Sequence, residues 1–226
     1  MQKKSNVSMW MENLPFDWSA FYSQAKILTL EKHQTLFDQE EEINQLYVVI
    51  EGRIRLSITN KLGEEKAIMI IGKNGIVGDL GLYATNTYLT SAIPVTACKA
   101  LSFPTATFQQ LLKEYPPLLP FYLLNLDKKF QIMTSQIVEL SYQSARFRVL
   151  QLLIQLAETY GVEEENGIRI SIRFTQQEMA NVAGASRVTV AQVFQLLREE
   201  KILFKENGYI LLSSLDILER LQEKWK

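Results

Sequence analysis

Apolar residues recur along this chain with more than one period, and each change of period marks a change of architecture. From Lys26 to about Phe103 they come in short runs or in alternation: Leu46–Ile50, then Ile54, Leu56 and Ile58 alternating with Arg53, Arg55 and Ser57, then Ala67–Ile71. Such runs and a period of two mark strands. Turn residues separate them at Glu51-Gly52, Asn60–Gly63, Gly72–Gly75 and Gly78–Gly81, so the stretch predicts a sandwich or barrel of antiparallel sheets, jelly rolls included. An aromatic-rich lead of Trp10, Phe16, Trp18, Phe21 and Tyr22 precedes it and predicts a short docked helix. After Pro116-Pro117 the period becomes 3.5: Leu119, Leu123, Leu126, Phe130, Met133, Ile137 and Leu140 are spaced 4, 3, 4, 3, 4, 3. That is a coiled-coil seam, most simply paired with the same helix of a second subunit, the alternative being packing on the chain's own sheet. Pro120 is tolerated there because it falls in the first turn. Ser141–Ser144 interrupts the pattern as a hinge, and Ala145–Tyr160 resumes an amphipathic helix with Val149, Leu152, Leu153 and Leu156 inward.

The last third is organised around Thr175–Lys201. Thr175 and Glu178 have the spacing of a capping box, which starts a helix near Gln176. Gly184 suits a turn that needs positive φ, and Ser186 caps a second helix running from Arg187 to about Glu200. Val190, Val193, Phe194 and Leu197 repeat at i, i+3, i+4 and i+7 as its buried face, leaving Arg187, Val188, Gln192 and Gln195 outward. With Ala180 small enough for close approach, this reads as a helix-turn-helix of the DNA-binding kind, an ordinary αα-hairpin being the alternative. Ile202–Glu206 and Tyr209–Leu212 flank Asn207-Gly208, a strong hairpin signal that makes a wing. Asn166-Gly167, followed by Ile168, Ile170 and Ile172 alternating with Arg169, Ser171 and Arg173, predicts another strand.

Composition adds limits rather than a new direction. The 226 residues are 47% hydrophobic and 22% charged, ordinary for a globular protein of one large or two modest domains. No apolar run approaches the roughly 18 residues of a membrane span, and the start carries no signal-peptide core, so a cytoplasmic protein without membrane partners is expected. The single cysteine, Cys98, excludes an internal disulfide, a cysteine-rich zinc site and a cysteine-held iron–sulfur cluster; it reads as core, with redox sensing as the other reading. The single histidine, His33, lies in a polar stretch and reads as a surface residue, and one histidine is too few for a cupin-type metal centre. Glycines at 72, 75, 78 and 81 are not followed by the helix and Lys-Ser/Thr of a phosphate loop, so they read as turns. Net charge is −1, and from Ala145 onward eleven Lys+Arg face eleven Asp+Glu. Phosphate contacts therefore have to come from local groups such as Arg169, Arg173, Arg187 and Lys205 together with helix N-termini.

The order β-roll, long helix, hinge and winged helix-turn-helix, together with Ile50-Glu51-Gly52-Arg53-Ile54, Gly78–Tyr83 and Gly184-Ala185-Ser186-Arg187-Val188-Thr189-Val190, resembles the cyclic-AMP receptor protein and FNR (Crp/Fnr) family of bacterial transcription regulators over nearly the whole chain. The resemblance implies a homodimer in which the roll senses an effector and the long helices pair. It places the effector at Asp79, Leu80, Gly81, Leu89, Thr90, Ser91 and Thr134, and RNA polymerase among the further partners. Two departures matter. Leu89-Thr90 stand where the nucleotide binders carry Arg-Ser, so the phosphate of cyclic AMP lacks its guanidinium; and in the recognition helix Val188 and Gln192 replace the familiar Glu and Arg.

The expectation is an α+β chain: an antiparallel, jelly-roll-like β-roll over 1–116, a dimerisation helix and hinge over 117–144, and a winged helix-turn-helix over 145–226. Its expected function is to bind an inverted repeat in double-stranded DNA through Thr175, Ser186, Arg187, Val188, Thr189, Gln192, Gln195 and Lys205, switched by a small molecule other than cyclic AMP. No cofactor is identifiable and no catalysis is expected, since a histidine cluster, a nucleophile elbow and a phosphate loop are all missing from the sequence. A scaffold using the winged domain to bind protein is the alternative.

Overall fold

In the computed structural model, which describes residues 7–225, the chain divides into two compact units between Gln136 and Ile137, inside its longest helix. The first unit holds two four-stranded sheets. One has the order β1 (Trp10–Met11), β5 (Glu65–Ile71), β4 (Ile54–Thr59), β7 (Ser91–Pro94); the other has β2 (Lys26–Leu30), β8 (Cys98–Pro104), β3 (Gln45–Glu51), β6 (Ile76–Val77). The three runs read from the sequence are β3, β4 and β5. The other strands are too short or too irregular in pattern to stand out, and β1 departs from the antiparallel expectation by pairing parallel to β5. Leu46, Val48, Ile54, Leu56, Met69, Ile71, Leu101 and Phe103 are fully buried, as the inner faces of a two-sheet roll require. Gly52 turns β3 into β4 at φ +81°, where a Cβ would lie 2.2 Å from the Ala97 carbonyl oxygen, so only glycine closes this turn.

The aromatic lead forms a 3-10 helix, Ser19–Gln24, rather than an α-helix. Its anchor is a ring cluster: Trp18 meets Phe103 and Phe121 with centroids 6.0 and 5.7 Å apart, and Phe16 stacks on Phe121 at 4.4 Å. Helix α1 (Thr105–Glu114) buries Phe108 and Leu111 and leads into α2 (Leu118–Tyr142).

Two faces divide α2. Leu118, Phe121, Tyr122, Asn125, Lys129 and Ile132 are buried, repeating at helical spacing. The 3.5-residue seam lies elsewhere: Leu119, Leu123, Phe130, Ile137 and Leu140 are exposed, Phe130 by 65%, and Leu126 and Met133 are half-buried. The seam is therefore not the face that covers the chain's own sheet. Polar groups tie the buried face to the roll: Asn125 Oδ1 accepts from the Ile76 N–H at 3.1 Å, Lys129 pairs with Asp79, and Gln136 donates to the Ile68 carbonyl.

The second unit begins with the last turns of α2. Helix α3 (Ala145–Tyr160) is capped by Ser144, whose hydroxyl accepts from the Phe147 N–H, so the break predicted over Ser141–Ser144 narrows to Gln143 and Ser144. Val149, Leu152, Leu153 and Leu156 are buried, and so are Gln151 and Gln155. Strands β9 (Gly161–Glu164) and β10 (Gly167–Ile170) then join β12 (Tyr209–Leu212) and β11 (Leu203–Glu206) in the order β11-β12-β10-β9. The strand predicted through Arg173 stops at Ile170, and β9 was hidden because Glu163 and Glu164 give it no apolar alternation. Between β10 and β11 lie α4 (Gln176–Ala183) and α5 (Arg187–Glu199), and α6 (Leu215–Lys224) closes the chain.

Candidate nucleic-acid interface and effector segment

The helix pair forms as its caps dictate. Thr175 Oγ1 accepts from the Glu178 N–H at 3.1 Å while the Glu178 carboxylate accepts from the Thr175 N–H at 2.7 Å, completing the capping box. Gly184 stops α4 at φ +59°, ψ +44°, and two residues later Ser186 Oγ accepts from the Thr189 N–H at 3.0 Å to start α5. The turn thus occupies three residues, Gly184 to Ser186. Val190, Val193, Phe194 and Leu197 seat α5 on the core. Ser186, Arg187, Val188, Gln192 and Gln195 consequently face solvent, Val188 by 65%, with Thr189 half-buried and its hydroxyl 2.9 Å from that of Ser186. Gln195 is held to Glu199 at 2.9 Å.

A groove of about 680 Å³ runs beside the helix pair, lined by Arg173, Phe174, Thr175, Gln176, Gln177, Arg187, Lys205 and Gly208. Three cations and the N-terminus of α4 thereby converge on one concavity, although residues 145–226 carry equal numbers of basic and acidic side chains. Among the described residues none of the three cations is in an ion pair. Lys205 Nζ sits 5.8 Å from the Phe194 ring centre. Of the four cations expected at phosphate, Arg169 alone is committed elsewhere, to the Glu164 carboxylate on the neighbouring strand. Arg148, which the sequence reading passed over, donates to the carbonyls of Ala183 at 2.8 Å, Gly184 at 2.6 Å and Gln143 at 2.7 Å. One guanidinium thus holds the helix-turn-helix turn and the segment following α2 together; burial lowers its pKa, partly offset by Glu139.

The candidate effector residues lie mainly in the loop from β6 to β7, residues 78–90, with Ser91 opening β7 and Thr134 on α2. Gly81, at φ +99°, passes so close to the returning arm of the loop that a Cβ would meet the Thr87 carbonyl oxygen at 2.1 Å and Leu89 Cγ at 3.2 Å. Leu80 and Leu89 join through a backbone bond of 3.4 Å, Thr90 is buried, and Ser91 Oγ accepts from the Gln39 N–H at 2.9 Å. Leu89 itself is 48% exposed. Thr134 is exposed and donates to Phe130 O in its own helix at 2.8 Å. Asp79 is buried and paired with Lys129 of α2, both side chains being fully inaccessible; its second carboxylate oxygen has no hydrogen-bond partner among the described residues. Burial pushes the Lys129 ammonium pKa down and Asp79 pushes it back up, while burial and then Asp79 raise that of the Tyr122 phenol. Lys129 was missed because the seam drew attention to the other face of α2; its place four residues after Asn125 in the 118, 121, 122, 125 series is the signal that finds it.

Cys98 is 2% exposed, with its sulfur 2.9 Å from the Glu51 carbonyl oxygen, and burial pushes its thiol up to about 11. His33 is exposed, at φ +68°. Among the described residues no group of three or more His, Cys, Asp or Glu is placed to hold a metal ion, and no helix is long and apolar enough to cross a membrane.

Comparison with known proteins places both units. Residues 27–115 match the cyclic nucleotide-binding domain, and residues 147–221 match the Crp-like helix-turn-helix domain. The chain is 28% identical over 177 residues to the global nitrogen regulator of Nostoc sp., covering 77% of this chain and 79% of that protein. It is 24% identical over 202 residues to the CRP-like cAMP-activated global transcriptional regulator of Mycobacterium tuberculosis, covering 89% of this chain and 90% of the other. Among solved structures, the c-di-GMP responsive global regulator CLP of Xanthomonas campestris superposes with a TM-score of 0.79 at 20% identity, over 86% of this chain and 96% of that one.

Proposed function

Because this chain belongs to the Crp/Fnr family of DNA-binding transcription regulators, we propose that it acts in the cytoplasm as a homodimer that reads an inverted repeat and is switched by a small molecule other than cyclic AMP. The observation that carries the DNA reading is the groove where Arg173, Arg187 and Lys205 meet the capped N-terminus of α4 beside the exposed face of α5. Cations there grip phosphate and set the register, while Arg187, Val188 and Gln192 read bases: Arg187 on guanine or phosphate, Gln192 on adenine, Val188 against a thymine methyl. The A·T bias follows from the last two. Two-fold symmetry sets the half-site centres about one helical turn, roughly 10 bp, apart. The exposed seam of α2 supports the pairing of two chains, and RNA polymerase is the further partner that a regulator at a promoter meets. Leu89, with Thr90 behind it, supports an uncharged or aromatic effector over a phosphodiester, because no guanidinium stands at that place.

Binding selection from random duplexes, followed by affinity measurement at several salt concentrations, tests this. The expected product is an inverted repeat. Gln192→Ala is expected to relax preference at one base pair per half-site by about 1–3 kcal/mol, whereas Lys205→Ala weakens all sequences alike and flattens the salt slope. A selection without an inverted repeat, or one unaltered by both Arg187→Ala and Gln192→Ala, returns the chain to the protein-binding scaffold.

A further inference from the structure

Tyr209 stands where the wing meets the strand leading into α4. The register of β10 on β12 pairs Ile168 with Leu212 and Arg169 with Leu211. Carried just past the end of β10, it sets Ser171 opposite Tyr209 and makes Arg169 and Arg173 the two diagonal neighbours of the ring. The guanidinium carbons of Arg169 and Arg173 do lie 5.2 and 4.9 Å from the ring centre. Their charges are treated differently. Arg169 is neutralised by Glu164, whereas Arg173 is in no ion pair among the described residues and lines the groove with Arg187 and Lys205. Gly208 leaves room beside it: a Cβ there would come within 3.6 Å of Arg173 Nε.

We propose that Tyr209 is a positioning residue which holds Arg173 at the groove as a clamp for one DNA phosphate in each half-site. The proposal rests on the DNA-binding reading above and deepens it. An arginine loses much rotamer freedom when it grips a phosphate; one already held over an aromatic face loses less, and its planar fork arrives oriented. Glu164 contributes by removing the repulsion that a second bare guanidinium on the same ring would exert on Arg173.

The test is a double-mutant cycle on the full chain, read as anisotropy of its selected duplex from low to moderate salt. Arg173→Ala is expected to weaken every sequence alike and to lower the salt slope by about 0.9 per protomer. Tyr209→Leu is expected to weaken the dimer about five- to thirtyfold, the equivalent of one exposed cation–π contact in each protomer. Tyr209→Phe, which keeps the ring, is expected to restore affinity to within about twofold. In the Arg173→Ala background Tyr209→Leu has no further effect, since a residue acting only through another loses its influence with it. Additive losses, or an undiminished slope in Arg173→Ala, overturn the clamp while leaving the regulator reading intact. A wild type that binds no duplex overturns both. If Tyr209→Leu does not fold, the Arg173→Ala slope and the Tyr209→Phe affinity still decide.

Discussion

Removing one member of the Asp79–Lys129 pair strands a charge at a place with no water to receive it, since both side chains are fully inaccessible. Asp79→Leu or Lys129→Met alone is expected to destabilise the first unit by about 3–5 kcal/mol in urea unfolding, whereas the double replacement, which leaves no orphaned charge, recovers most of that loss. Additive losses in the double variant would refute the pairing. Cys98 gives a second residue-level expectation. Its thiol is raised from 9.0 to about 11, so the folded protein binds a proton that the unfolded chain releases between those values. The contribution to stability is whole below pH 9 and is lost as pH rises toward 11. At pH 8 iodoacetamide is expected to modify Cys98 only as fast as the protein opens; rapid labelling of the native protein would contradict this. Residues of this kind were hard to read in the sequence for a physical reason. Lys129 looked like solvent-facing polarity on a helix, because charge and burial coincide only when a partner arrives from fifty residues away.

At the scale of elements, α2 is the clearest case of a pattern read in advance. Its seam was legible because a 3.5-residue repeat has few causes, and it is not the face that covers the roll: Phe130 and Leu123 are exposed by 65% and 55%, whereas Phe121 and Tyr122 are buried. Phe130→Asp with Met133→Asp is expected to convert the proposed dimer to monomers in sedimentation at micromolar concentration, with unfolding little changed because neither side chain is in the buried face. A wild type already monomeric there would remove the pairing from the proposal. The capping box at Thr175, the αL glycine at 184 and the hairpin at Asn207-Gly208 were equally legible, since each is a local bargain struck within four residues. Strands β1 and β9 were not. One is two residues long and pairs parallel, and the other is acidic throughout its tip, so only the neighbouring strand makes either of them a strand.

For the whole molecule the candidate DNA site was more readable than the effector site. The candidate recognition face depends on one helix and its cap. The candidate effector loop depends on which side chains fill the roll, and the Leu89 substitution states only which charge is missing. Calorimetry on the full chain is expected to detect no micromolar cyclic-AMP binding; a clear isotherm would reverse the inference drawn from Leu89. The two-faced α2 also limits how this protein can change length over evolutionary time. Each added residue turns everything beyond it by about 100°, so a single insertion between Asn125 and Lys129 would swing the lysine away from Asp79 and at once throw the later seam residues out of line with the earlier ones. Loops such as Asn60–Gly63, whose glycine has open space around it, can drift in length freely. Beyond Gln136, insertions and deletions keep the seam in phase only in multiples of seven; between Asn125 and Gln136 even seven residues would slide Lys129 about 10 Å along the axis from Asp79, so a lineage that changed length there would have to have rebuilt both faces together.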